Sequence, residues 1–359
     1  MLTVSTPVAF SATLGDQWDS LKTSLLDAEN MARFHFDLID YQDEKVDLKL
    51  KDQIKMTKID AMKKLQTAKT IYSDNFKDAA LTVDTQSDMI ITNAFSDTEN
   101  MLVSGNVEQT SLNRQIIDKT IYKIAFMKME LAITQNNSTD FLSWFTIMEK
   151  KFKISTTYPE INSLVVDIRS NPSLLSTNGP QITEKLLEIF KLKTVEEIAE
   201  AITSLDKGDV KSAKTFTHEG LYYYRTLHPS IEEKLGSESA NELLYLMESA
   251  LSITISDKPI DVMKAELEDI SEKVELIIRK YEGGDISETG LALSGIKDRL
   301  NLVGVEYLNA VKDGKITNQV EYDETVAFLI KATEIFNNNK MVLMELSNSD
   351  ATSLPRFPS

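Results

Sequence analysis

The stretch that decides the fold runs from Trp18 to Asp40 and reads WDSLKTSLLDAENMARFHFDLID. Leu21, Leu25, Leu26 and Ala28, then Phe34, Leu38 and Ile39, recur at spacings of three and four. Asp37 and Asp40, and further on Glu44 and Lys45, take the remaining positions. That is the period of an amphipathic helix rather than of a strand. Little interrupts the pattern downstream: Pro7 is followed by no proline until Pro159, and Gly15 by no glycine until Gly105. A β-sandwich, a Rossmann unit or a phosphate loop needs glycine or proline at its turns. The same reading predicts a helix over about 49–76, with Ile54, Ile59, Met62, Leu65 and Ile71 as its apolar stripe, and another over about 83–102. Ser104-Gly105-Asn106 follows as a C-cap and turn.

Outward from there, helices are expected over Thr110–Thr134 and Asp140–Phe152, separated by the polar run Gln135–Thr139. Residues 155–181 hold Pro159, Pro172, Gly179 and Pro180 among serine, threonine and asparagine, and read as a linker. One or two helices follow over Ile182–Ile202, with Thr194-Val195-Glu196-Glu197 opening the second. A helix after Gly208-Asp209 should end near Thr226, with a kink or break at His228-Pro229. Further helices should cover about 238–251 and the stretch from Pro259 to Tyr281, ending at Gly283-Gly284. The expected class is all-α: antiparallel helical hairpins in two or three bundle-like units, with no sheet of any size. The expected divisions are a signal remnant or disordered tail (1–15), an N-terminal helical domain (16–154), the linker (155–181), a second helical-repeat domain (182–283), a C-terminal hairpin unit (284–346) and a loose tail (347–359).

Composition excludes several functions. The 359 residues carry 56 acidic against 39 basic side chains, a net charge of −17, three histidines and no cysteine. Zinc fingers, thiol redox chemistry and disulfide scaffolds are out. An acidic chain without a basic block does not bind nucleic acid. No stretch approaches the roughly 18 consecutive apolar residues of a membrane span. Residues 1–15 carry no charge, and Ala9 and Ser11 stand at the −3 and −1 spacing of a signal cleavage site. Asn136-Asn137-Ser138-Thr139 holds two overlapping glycosylation sequons. Both features lean toward an extracytoplasmic location.

Lys69-Thr70-Ile71-Tyr72 with Phe76 recurs as Lys119-Thr120-Ile121-Tyr122 with Phe126. A tyrosine and a phenylalanine four apart cover one helix face, as a bundle core requires. The densest polar–aromatic cluster is Thr217–Pro229. There His218, Glu219 and His228, with Glu232 beyond the proline, offer imidazole and carboxylate ligands for iron or copper. The competing reading is a buried tyrosine girdle, Tyr222-Tyr223-Tyr224. His218 and His228 stand nearly three helical turns apart, so a shared ion would need a ligand from another helix. No Ser/His/Asp order, Gly-x-Ser-x-Gly, Walker loop or Gly-x-Gly-x-x-Gly occurs, and an enzyme is not expected.

One segment carries a resemblance. Val305-Glu306-Tyr307-Leu308-Asn309-Ala310-Val311-Lys312-Asp313-Gly314-Lys315-Ile316-Thr317-Asn318-Gln319-Val320-Glu321-Tyr322 resembles a stretch in the extracytoplasmic helical regions of Ftr-type microbial iron permeases. The turn Gly208-Asp209 to Ala213, its aromatic segment and Glu248 look like the helical repeat of those regions. Phe190-Lys191-Leu192-Lys193-Thr194 and Tyr222-Tyr223-Tyr224-Arg225-Thr226 also look like secreted proteins of ammonia-oxidising archaea. The family's transmembrane Arg-Glu-Gly-Leu-Glu motif has no counterpart here, which implies that the chain is not itself the permease. Read as a hairpin, Asp313-Gly314 is the turn, Asn318 caps the second helix, and Glu321 stands three residues on, as in a capping box. Glu306, Asp313 and Glu321 belong either to a structural hairpin signature or to a metal or partner site.

The resemblance implies a non-catalytic extracytoplasmic protein that binds metal cations, iron or copper, or docks on a membrane permease or envelope complex. The alternative is a purely structural or interaction component of the cell envelope without metal.

Overall fold

The computed structural model describes residues 12–40, 48–104, 107–284 and 286–344. The expectations for residues 1–11 and for the tail 347–359 lie outside them. Fourteen α-helices account for nearly all of the described chain. The sole sheet among these residues is a two-residue ribbon, so the all-α expectation holds. The chain forms two compact units, residues 1–186 and 187–359.

The first unit holds α1 (Leu14–Asp40), α2 (Leu48–Asn75), α3 (Lys77–Val83), α4 (Thr85–Ser104), α5 (Val107–Thr134), α6 (Ser138–Phe152), α7 (Ile154–Thr157), α8 (Pro159–Ser170) and the start of α9 (Leu175–Asp206). Consecutive helices pack as hairpins, α1 on α2, α4 on α5 and α5 on α6, and α1 returns against α5 and α6. The α1–α6 approach is close: a Cβ at Gly15 would come within 2.6 Å of the Thr146 carbonyl oxygen. The Gly15 N–H donates to Thr146 Oγ1 at 2.8 Å. The repeated tyrosines and phenylalanines (Tyr72, Phe76, Tyr122, Phe126) are all buried. Both tyrosine hydroxyls donate to a carboxylate, Tyr72 to Asp88 at 2.8 Å and Tyr122 to Asp118 at 2.6 Å. The repeat is therefore a core motif that carries its own polar partner, since a buried hydroxyl needs one.

Residues 155–181 differ from the expectation of a linker, because they are mostly helical. Pro159 and Pro172 stand where a helix tolerates proline, whereas Pro180 lies inside α9. Pro159 opens α8, Pro172 opens a 3-10 turn, and Pro180 lies in the second turn of α9. A proline in the first turn loses only N–H groups that have no helical partner. Ile161, Val165, Ile168, Leu175 and Ile182 are buried. Their helical spacing is masked in the sequence by the surrounding Ser, Thr and Asn.

The second unit contains the rest of α9, then α10 (Val210–Leu235), α11 (Ser237–Thr254), α12 (Ile260–Glu282), α13 (Glu288–Ala310) and α14 (Gln319–Asn338). Its core joins Leu205, Tyr224, Leu227, Leu243, Met247, Leu267 and Val274 across α9 to α12. Neither Thr194 nor His228-Pro229 ends a helix. At Thr194 the hydroxyl donates to the Phe190 carbonyl four residues back, at 2.8 Å, and α9 continues through it. At His228-Pro229 α10 also continues, to Leu235. Apolar contacts on both sides of Pro229 hold the helix together, since Leu227 and Ile231 are both fully buried. Between α13 and α14 the strands Val311–Lys312 (β1) and Lys315–Ile316 (β2) pair antiparallel. Asp313 and Gly314 both have positive φ, 51° and 70°. That is the mirror-image two-residue turn for which Asp-Gly is a preferred sequence.

Asp118 is the polar anchor of the first unit. It is buried, and it accepts from Trp18 Nε1 at 2.8 Å and from Tyr122 OH at 2.6 Å, with Lys119 Nζ 3.7 Å away. Asp118→Ala strands two buried donors and is expected to cost about 3 kcal/mol, a drop of roughly 6–12 °C in thermal midpoint for a unit of this size. Asp118→Asn, which keeps one acceptor, should lose less. Thermal denaturation followed by tryptophan fluorescence checks both; an unchanged midpoint for Asp118→Ala would contradict the anchor role.

Candidate functional site

The short β1–β2 turn fixes how the end of α13 meets the start of α14. The Ala310 carbonyl accepts from both Thr317 N (2.8 Å) and Asn318 N (3.2 Å), which closes the connection. Glu306, one turn before the end of α13, then faces Glu321 and Glu324 in the first turns of α14. Carboxylate oxygens of these three residues lie within 4.8 Å of one another. Among the described residues no other group of three potential ligands is that close.

The third wall of the cluster is α9. Lys193 Nζ lies 2.5 Å from Glu196 Oε2 and 3.2 Å from Glu306 Oε1. Asn309 Nδ2 donates to the other Glu306 oxygen at 3.3 Å. Glu196 is 1% exposed, and its Oε1 finds no hydrogen-bond donor among the described residues. The same side chain lines a small cavity of about 10 Å³ with Lys191, Asp298, Arg299, Leu302 and Phe328. That is room for about one water molecule.

So many carboxylates around one ammonium cannot all ionise, because like charges in a poorly solvated site repel. Burial and the neighbouring Glu306 charge push Glu196 up to about 8, against the pull of Lys193. The hydrogen bond to Glu306, then burial, raise Glu321 to about 8. Burial and the Glu306 charge raise Glu324 to about 7. Burial, together with the charges of Glu197 and Glu196, lifts Glu200 well above the usual carboxylate range. Glu306 goes the other way. Burial opposes its ionisation, but the Lys193 charge and the hydrogen bonds from Glu321, Glu196 and Lys193 outweigh it and hold the group down at about 2. The cluster thus has one permanent carboxylate at its centre, ringed by acids that hold protons near neutrality.

Of the residues singled out in the sequence, Glu306 and Glu321 meet in this cluster. Asp313 does not: it sits exposed at the β1–β2 turn, where its positive φ serves the chain reversal. His218, Glu219, His228 and Glu232 all lie on α10. His218 is buried and stacks on Tyr222 at 5.2 Å, and His228 meets the edge of Tyr224 at 5.6 Å. Tyr224 OH donates to the Ala240 carbonyl at 2.5 Å. Two of the three tyrosines, Tyr223 and Tyr224, are fully buried, so this face packs as a girdle. It brings no third ligand beside either histidine within the spacing that unites Glu306, Glu321 and Glu324. Sequence reasoning missed Lys193, Glu196, Glu200 and Glu324. The signal available for the α9 group was Lys193-x-x-Glu196-x-x-x-Glu200, acidic positions at helical spacing beside a lysine, which reads as a solvated face until the partner helices are in place.

No described helix is long and apolar enough to cross a membrane. Residues 12–273 match the iron permease FTR1 N-terminal domain, and residues 282–356 match the iron permease-associated 4-helix bundle domain. The chain belongs to the iron permease FTR1 family, a family of transporters rather than of catalysts. The resemblance carried by residues 305–322 therefore extends to the N-terminal helices as well. No curated protein and no solved structure is significantly similar to the chain. The cluster draws on both matched regions, Lys193, Glu196 and Glu200 from the first and Glu306, Glu321 and Glu324 from the second.

The raised acids set a pH dependence. Their protons are bound more tightly in the folded than in the unfolded chain, where a glutamate titrates near 4.5. Their contribution to stability is full below that value and is lost as pH rises through about 7 to 8. Glu306 acts oppositely, but its loss comes only as pH falls toward 2. In chelator-treated protein the thermal midpoint should fall between about pH 5 and 8.5, and Glu196→Gln should flatten that fall. A midpoint that holds or climbs across this window would contradict the protonated cluster.

Proposed function

We propose that the chain is a non-catalytic, extracytoplasmic helical region of an iron permease system, which holds a metal cation at the carboxylate cluster and presents it to a membrane permease or envelope partner. The observation that carries this reading is the convergence of Glu306, Glu321 and Glu324 within 4.8 Å beside the buried Glu196. All the donors are carboxylate oxygens, with neither thiolate nor imidazole among them. Such a set suits hard cations and favours iron over copper. The net charge of −17 raises the local concentration of cations around the chain, an effect that salt weakens. The exposed sequon at Asn136-Asn137-Ser138-Thr139, where the Asn137 side chain accepts from Asp140 N as the cap of α6, supports the extracytoplasmic placement.

Anaerobic calorimetry with ferrous ion, and parallel titrations with ferric citrate and cupric ion, test the reading. One cation per chain with Kd below about 100 μM is expected. Glu306→Gln should weaken binding at least tenfold, about 1.4 kcal/mol, and cupric ion should bind less tightly than iron. No stoichiometric binding of any of the three would overturn it.

A further inference from the structure

The Lys193 ammonium already stands on Glu306, one of the three carboxylates that converge, and on Glu196 beside them. It is held 2.5 Å from Glu196 Oε2 and 3.2 Å from Glu306 Oε1. Both Glu306 oxygens are engaged while this contact persists, the second by the Asn309 amide. The charged groups facing the ammonium come from all three elements: Glu196 and Glu200 on α9, Glu306 on α13, and Glu321 and Glu324 on α14, with the Tyr223 phenol of α10 beside them. Lys193 is in direct contact with two of them, Glu196 and Glu306.

The Lys193 side chain lies nearer to solvent than those of Glu196 and Glu306. Its side chain is 22% exposed, against 1% and 2% for the two glutamates it bridges. Four methylenes give the ammonium the reach to leave the cluster for water without moving α9.

We propose that Lys193 is a built-in competitor for the cation: its ammonium and a metal ion occupy the Glu196 and Glu306 carboxylates alternately, so that Lys193 sets the affinity of the site. This rests on the reading of the cluster as a cation site. With the ammonium in, the chain supplies its own countercharge and folds without metal. With the metal in, Lys193 points to solvent, and Glu196 Oε1, which otherwise has no donor, gains a partner. The side chain is a positioning residue that limits how tightly the cation is held, as suits a cation that must be passed on rather than stored.

The test compares wild type, Lys193→Met, Lys193→Arg and Glu306→Gln by anaerobic calorimetry with ferrous ion and by the electron paramagnetic resonance of manganous ion. Lys193→Met keeps the stem and removes the charge; Lys193→Gln replaces it should the methionine variant fail to fold. Lys193→Met is expected to bind at least tenfold more tightly than wild type, and Lys193→Arg to stay near wild type. Metal-free Lys193→Met should melt below wild type and regain its midpoint on adding manganous ion. Equal or weaker binding by Lys193→Met, with wild type still binding, would overturn the competition while leaving the cation site intact. Absence of binding in both would remove the cation site itself, and the competition with it.

Discussion

One half-buried lysine among five carboxylates is the constraint on which the second unit is built. Lys193 neutralises part of the charge that Glu196 and Glu306 bring inside, and protons neutralise the rest. Taking one charge away from such an arrangement leaves another buried and unpaired, which costs more than the pair contributes. The first unit shows the same rule in simpler form, where Asp118 is matched by two neutral donors and nearby lysines. The difference matters for function. Asp118 accepts a hydrogen bond on each of its oxygens, whereas Glu196 is deeply buried and keeps an oxygen without a donor. A fully satisfied buried acid stabilises a fold; a partly satisfied one beside a titrating ring is a place where a ligand changes the balance.

The fold was legible because helical period needs only local information. Leu21, Leu25 and Ala28 repeat within one element, and each is buried in the structure. The errors share one cause. Proline and threonine carry average tendencies in a sequence, while their effect depends on position within the helix. Pro180 falls in the opening turns of α9, Thr194 satisfies its own hydroxyl on the backbone, and Pro229 is spanned by buried side chains on either side. A one-dimensional reading sees the residue type but not which carbonyl it leaves unpaired.

The candidate site was half legible for a related reason. Glu306, Asp313 and Glu321 lie in one short segment, so a motif could draw attention to them, and Asp313 was drawn in by proximity although its role is the turn. Lys193 and Glu196 stand more than a hundred residues earlier and become neighbours only when α9 packs beside α13 and α14. His218 and His228 attracted attention by their chemistry, and each ring packs against a tyrosine of the same helix. Residue types announce candidates, but a site is defined by which helices converge, and convergence is not written in local spacing.

The Asp313-Gly314 turn has a consequence for how this family can vary. Each residue added to a helix rotates the remainder of that helix by about 100°, and a tight two-residue reversal has no slack to absorb it. A residue inserted in α13 after Glu306, or in α14 before Glu321, would turn Glu321 and Glu324 away from Glu306. The hairpin therefore acts as a ruler: side chains on its surface can drift, but its length is locked to the distance between carboxylates that the turn itself never touches.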